Sequence, residues 1–152
     1  MKQSLFLCLK PDIMIWKVKP THELIYSFQN KSMESFLGIE ITDIGDDYIT
    51  GRMPVNEKTK HPLGLLHGGA SCVLAETLGS IGGAFCVNPT KQMVLGLTLN
   101  VNHMRGVKEG YVTGTARPLD IGETTQVWEI KIVNEQQKPV CIGRLTLAVR
   151  DI

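Results

Sequence analysis

Between Gly68 and Val87 the chain reads GGASCVLAETLGSIGGAFCV, twenty residues whose one ionisable group of consequence is the carboxylate of Glu76, with His67 immediately before the run. Small and apolar residues occupy nearly every turn, so a helix built from this stretch is expected to be covered all round instead of keeping one wet face. An ionised carboxylate in such surroundings is costly unless it finds donors, changes protonation or does chemistry. A buried structural glutamate is the plainer alternative. The segment just upstream, HPLGLLHGG at 61–69, supplies what a reactive carboxylate needs.

Twenty mostly apolar residues also match the length of a membrane span. Glycine at 68, 69, 79, 82 and 83, together with Ser71, Thr77, Ser80 and the central Glu76, makes the run too polar for that role. Strand-like sequence on both sides argues against a lone anchor, because open sheets cannot sit in lipid. The expectation is a core helix in a soluble protein with no membrane partner.

At 152 residues the chain suits one domain with a sizeable core. Sixteen basic against fifteen acidic residues leave almost no net charge, so no broad electrostatic case exists for nucleic acid or a membrane surface. Cys8, Cys72, Cys86 and Cys141 are far apart and show no metal-ligand spacing. Reduced core thiols and a cytoplasmic setting are expected, with no metal and no cofactor. The leading MKQSLFLCLK has an apolar patch too brief for a secretory signal, and Met14 opens a second plausible start. Residues 1–13 are therefore expected to be a disordered extension and 14–152 the folded domain.

Periodicity gives the element order. Thr21–Phe28 and Ser32–Ser35 read as a short leading helix in two parts, with Thr21 as its cap. Leu37, Ile39 and Ile41 alternate with polar neighbours, GDD marks a hairpin turn, and Ile49, Gly51, Met53 and Val55 alternate again. After the central helix come four more strands. Met93, Leu95, Leu97, Leu99 and Val101 are expected to line one face of the first, then Val112, Gly114 and Ala116, then Trp128, Ile130 and Ile132, then Cys141, Gly143, Leu145, Leu147 and Val149. Short polar turns separate them near 108–110, 120–122 and 135–138. One long apolar helix and six mostly antiparallel strands imply an α+β layer in which a curved sheet wraps the helix.

The stretch GLLHGGASCVLAETLGS from Gly64 to Ser80 resembles the hotdog-fold acyl-CoA thioesterases. The resemblance extends from about Met14 to the carboxyl end, through IWK at 15–17, MPV at 53–55, VLGL at 94–97, NHMR at 102–105, PLDIG at 118–122, QVWEI at 126–130 and RLTLAV at 144–149. It points to the PaaI-like branch, whose members include thioesterases of menaquinone synthesis and of enterobactin proofreading, and a 4-hydroxybenzoyl-CoA thioesterase. It implies an acyl-CoA substrate, with an aromatic acyl group preferred, and a homo-oligomer, at least a dimer and by the branch a tetramer.

Thioester hydrolysis needs donors where charge develops on the carbonyl oxygen and a carboxylate that activates water or attacks directly. Gly68, at the start of the helix, offers an outward N–H with the helix dipole behind it. His67 either orients that turn or donates toward the thioester. Gly68 and Glu76 are eight residues apart, roughly 12 Å along a helix axis, too far to touch one carbonyl carbon. If both act in one event, the glutamate comes from a neighbouring subunit whose helix runs antiparallel, giving two composite sites per dimer. Ser80, four residues on, shares the helical face of Glu76; its hydroxyl either bonds the carboxylate, water or acyl group, or is merely small enough to pack.

One position departs from the family pattern. The residue six before His67 is commonly Gln in this branch and is His61 here. A neutral imidazole donates from one ring nitrogen only, so its tautomer must be fixed by a partner. The expectation is that His61 keeps the polarising role and makes the rate more sensitive to acid. For the CoA portion, the resemblance assigns His103, Met104, Arg105 and Gly106, and the loop Asp120, Ile121, Gly122, Glu123, Thr124 and Thr125; Gly96 would let the pantetheine arm pass mid-strand. Leu63, Leu65 and Phe85 are candidates to shape the acyl pocket. A hotdog hydratase or dehydratase and a non-catalytic acyl-CoA sensor are the competing readings, since fold alone does not decide among them.

Overall fold

A computed structural model describes residues 14–29 and 31–152; the extension expected at 1–13 lies outside them. The leading helix divides into α1 (His22–Phe28) and α2 (Met33–Leu37). Each begins on a hydroxyl cap: Thr21 accepts the Leu24 N–H and Ser32 accepts the Ser35 N–H. Strands β1 (Glu40–Ile44) and β2 (Ile49–Pro54) form the hairpin expected around GDD, and its turn is closed by the Gly45 N–H on Tyr48 O at 3.0 Å. The long helix α3 (Gly68–Phe85) follows, then β3 (Gln92–His103), β4 (Tyr111–Ile121), β5 (Thr125–Asn134) and β6 (Pro139–Asp151). The six strands make one sheet in the order β1-β2-β4-β5-β6-β3, and every neighbouring pair is antiparallel.

The alternation read from the sequence places Val112, Ala116, Trp128, Ile130, Ile132, Cys141, Leu145 and Leu147 in the core. Leu74, Leu78 and Ala75 of α3 are fully buried against that face. Close approach of helix to sheet depends on glycine: a methyl on Gly82 would come within 2.7 Å of the Trp128 ring, and one on Gly79 within 2.5 Å of Leu145. Gln126, fully buried, accepts the Trp128 indole N–H at 3.0 Å and donates to Gly83 O at 3.3 Å, so this polar group is satisfied while it ties β5 to the last turns of α3. Trp16 stacks on Trp128 with ring centroids 6.4 Å apart, and Lys17 and Val18 donate to Phe85 O at the end of α3.

Besides Leu37, which the alternation puts on the first strand and the structure puts at the end of α2, two features differ from expectation. Strand β3 carries a bulge, since Gly96 pairs with Leu147 and Thr98 with Thr146, leaving Leu97 as an extra residue. The bulge shifts the side-chain phase, so Val94, Leu99 and Val101 pack on the core while Met93, Leu95 and Leu97 are exposed. Five alternate residues therefore do not line one face. The second difference is in α3, which is not covered all round: Gly69 and Ala84 are exposed and Cys72, Val73, Glu76 and Ser80 are half-buried, forming a stripe with helical spacing that the sheet leaves uncovered beside its β3 edge.

Candidate active site

The segment before α3 is held from several directions. Thr59 is buried, its hydroxyl donating to Pro54 O and accepting the Asn56 N–H. The backbone N–H of His67 donates to Thr59 O, that of Leu66 to Val107 O, and that of His61 to Leu65 O. On this fixed loop both imidazoles have their Nδ1 occupied as an acceptor. His67 is the N-cap of α3, taking the Gly69 N–H at 2.8 Å, and His61 takes the Leu63 N–H at 3.1 Å. A nitrogen that accepts carries no proton, so each neutral ring holds its proton on Nε2 and offers a single donor. The ring centroids lie 6.2 Å apart. The Gly68 N–H, at the first position of the helix, has no acceptor among the described residues.

His103, at the end of β3, meets the same place: a methyl on Gly68 would lie 2.9 Å from its Nε2. The structure thus gathers His61, His67, Gly68 and His103 at the amino end of α3. Arg105 is nearby in sequence, its Nε donating to Pro139 O at 3.3 Å, and Gly106 lies against Leu65.

Glu76 and Ser80 lie two turns further along α3. The Ser80 hydroxyl donates to Glu76 Oε1 at 3.2 Å. A side chain on Gly96 would overlap the Glu76 carboxylate, so within one chain the missing side chain makes room for the carboxylate. Glu76 opens on a cavity of about 370 Å³ whose walls include Val73, Ile81, Leu99 and Met33, with Glu34, Thr77 and Ser80 as its other polar members. Sequence reasoning missed Met33 and Glu34; their helix has five residues, too few for periodicity to show which way they face.

Other expected residues fall elsewhere. The loop Asp120–Thr125 sits at the far end of β4 from Tyr111, about 33 Å away at strand rise, so one chain does not join it to His103–Gly106. It borders a separate groove with Lys17, Gln92 and Arg150. Leu63 stands in solvent at 86% exposure, Leu65 packs at Gly106, and Phe85 ends α3; none of the three lines the Glu76 cavity. Buried thiols are poor nucleophiles: desolvation pushes Cys86 up to about 12 and Cys141 up to about 11, and raises Cys72 as well.

Residues 63–141 match the model of the thioesterase superfamily. The chain belongs to that family. It is 46% identical over 136 residues to the 1,4-dihydroxy-2-naphthoyl-CoA hydrolase of Escherichia coli, covering 90% of this chain and 99% of that protein. A crystal structure of a Pseudomonas aeruginosa thioesterase variant superposes with a TM-score of 0.89 at 43% identity, over 91% of this chain and 99% of that one. A Staphylococcus aureus relative, 38% identical over 79% of this chain and 99% of its own with a TM-score of 0.77, has been crystallised with alanine in place of a glutamate. A second crystal structure of the same protein carries alanine in place of a glutamine fifteen residues earlier. His61 precedes Glu76 by the same interval. The protein is an acyl-CoA thioesterase with the hotdog fold, and the hydratase and sensor readings give way to thioester hydrolysis. No helix among the described residues is long and apolar enough to cross a membrane.

Proposed function

We propose that this thioesterase hydrolyses aromatic acyl-CoA esters at sites built from two copies of the chain. The observation that carries the proposal is the position of Glu76: a carboxylate with a hydroxyl partner, lining an apolar cavity on the uncovered stripe of a core helix. Gly68 and Glu76 lie roughly 12 Å apart along one axis, so the donor end of one α3 serves the carboxylate of another. Strand β3 supports such pairing. It is a twelve-residue edge of the sheet with Met93, Leu95 and Leu97 exposed, the kind of edge that soluble proteins seldom leave bare. Antiparallel pairing of two β3 strands sets two α3 helices side by side in opposite directions, and a further pairing of such dimers gives the tetramer.

In this arrangement the thioester carbonyl lies against the Gly68 N–H, with the Nε2–H groups of His61 and His67 beside it. These donors are fixed before substrate arrives, so they stabilise the developing oxyanion without reorganising. Glu76 of the other copy, its charge oriented by Ser80, takes a proton from the water that attacks the carbonyl carbon; the tetrahedral intermediate then collapses with cleavage of the C–S bond, and the proton passes from Glu76 to the departing CoA sulfur. His103 and Arg105, at the mouth of the same end, receive the phosphate-bearing portion of CoA. The apolar side chains of Val73, Ile81, Leu99 and Met33 receive the acyl group, and a cavity of about 370 Å³ has room for a ring. The E. coli relative's naphthoyl substrate points to the same class.

Thiol release from a panel of aromatic and aliphatic acyl-CoAs tests the proposal. Aromatic esters should exceed aliphatic ones of similar size in kcat/KM; a preference for straight-chain esters would refute the aromatic assignment.

A further inference from the structure

The cavity beside Glu76 has one wall that the hydrolytic step does not use. Glu34, in the first turn of α2, is half-buried there, and its carboxylate has no hydrogen bond or ion pair among the described residues. Its backbone is committed: Glu34 O accepts from the Gly38 and Ile39 N–H groups, which closes α2 and fixes the residue's place in the wall. Neighbouring wall residues are Met33, Val73, Ile81 and Leu99, and the other carboxylate, Glu76, already accepts from Ser80.

We propose that Glu34 is a specificity residue that accepts a hydrogen bond from a hydroxyl or amino group on the acyl ring, so that the preferred substrates are aromatic thioesters bearing a donor away from the thioester carbon. This rests on the aromatic reading given above. An ionised carboxylate is acceptor-only. Beside the apolar side chains of Met33, Val73, Ile81 and Leu99 it loses water when a ring enters, and an acyl group without a donor leaves it unpaired. A ring hydroxyl or amine restores the lost bond, and a charge-assisted bond of this kind discriminates about tenfold to a hundredfold. The same charge, together with Glu76, disfavours acyl groups that carry a carboxylate of their own. Apolar contacts cannot provide this selection, since a hydrophobic wall discriminates weakly among rings of equal size.

The test compares kcat/KM for 3- and 4-hydroxybenzoyl-CoA and 4-aminobenzoyl-CoA with that for 4-methoxybenzoyl-CoA, which keeps the ring and oxygen but has no donor. Wild type, Glu34→Leu and Glu34→Gln are measured, with circular dichroism to confirm folding. The wild-type donor-to-methoxy ratio should be at least about tenfold for one ring position. It should collapse toward unity in Glu34→Leu and be partly kept in Glu34→Gln, whose amide oxygen still accepts. A ratio that is the same in all three proteins overturns the assignment of Glu34 while leaving aromatic hydrolysis intact. Absence of turnover on every aromatic ester, with aliphatic esters cleaved, overturns the aromatic reading and this inference with it.

Discussion

On the side of α3 that meets the sheet, Leu74 and Leu78 are fully buried and Gly79, Gly82 and Gly83 let Leu145, Trp128 and Leu147 close on the backbone. On the uncovered side, which borders the β3 edge at Gly96 and Leu99, Cys72, Val73, Glu76 and Ser80 stay half open, and Ser80 bonds to Glu76. Both sides are rich in small residues, yet only one is filled. The sheet side is under the demand of close packing, where any added volume is felt. The open side has no such constraint, so the carboxylate there is available for chemistry. Substitutions on the two sides should therefore separate stability from activity.

The largest effect should come from Glu76→Ala, which should lower kcat about a thousandfold and leave the melting temperature within about 2 °C of wild type. A melting temperature that falls with the rate would turn Glu76 into a structural residue and erase the contrast. Gly82→Val, on the packed side, should do the reverse: overpacking against Trp128 costs about 1–3 kcal/mol and lowers the melting temperature by about 3–10 °C. The folded fraction should keep its turnover.

A smaller change is expected at His61. Its Nδ1 accepts from Leu63, and protonation would set two donors against each other and disturb the loop. In wild type, kcat/KM should therefore fall on the acid side more than in His61→Gln, whose amide does not titrate. Identical pH profiles and turnover would show that the ring does not reach the thioester.

The thiols give the smallest effect. Cys86 and Cys141 ionise in the fold only near 12 and 11, against 9.0 for a free thiol, so the unfolded chain loses these protons first. Their stabilising contribution is complete below pH 9 and is lost as pH rises toward 11–12. Urea midpoints at pH 8 and 10.5 should differ less in Cys86→Ala than in wild type. Equal differences would mean that the packed side is wetter than its geometry indicates.

Much of this architecture was legible in the chain. Thr21 announced its cap, the GDD turn its hairpin, and alternation in the last three strands named the core, because each depends on local geometry or on a period of two. The bulge at Leu97 was not legible, since nothing in MVLGLTLNV breaks the alternation; only pairing with β6 reveals the extra residue. Glu76 stood out as the lone charge in its run, whereas Glu34 is one acid among fifteen and became visible only when α2 was laid beside α3. The contact of His103 with Gly68 joins residues 35 positions apart and required the fold. The interval between Gly68 and Glu76 was legible as a separation within one chain, because a helix cannot bend back on itself over two turns, and it is the ground of the two-copy proposal.

That interval supplies the most direct test of the central claim, that the carboxylate and the donors of one site come from different copies. Glu76→Ala and the double variant His61→Ala/His67→Ala are each made alone, then co-expressed so that mixed dimers form. Each variant alone should be nearly inactive. The mixed population should recover about a quarter of wild-type thiol release, because half of the dimers are mixed and each of those contains one intact site of two. Recovery no greater than the sum of the two variants alone would contradict the account and place the whole site within a single chain.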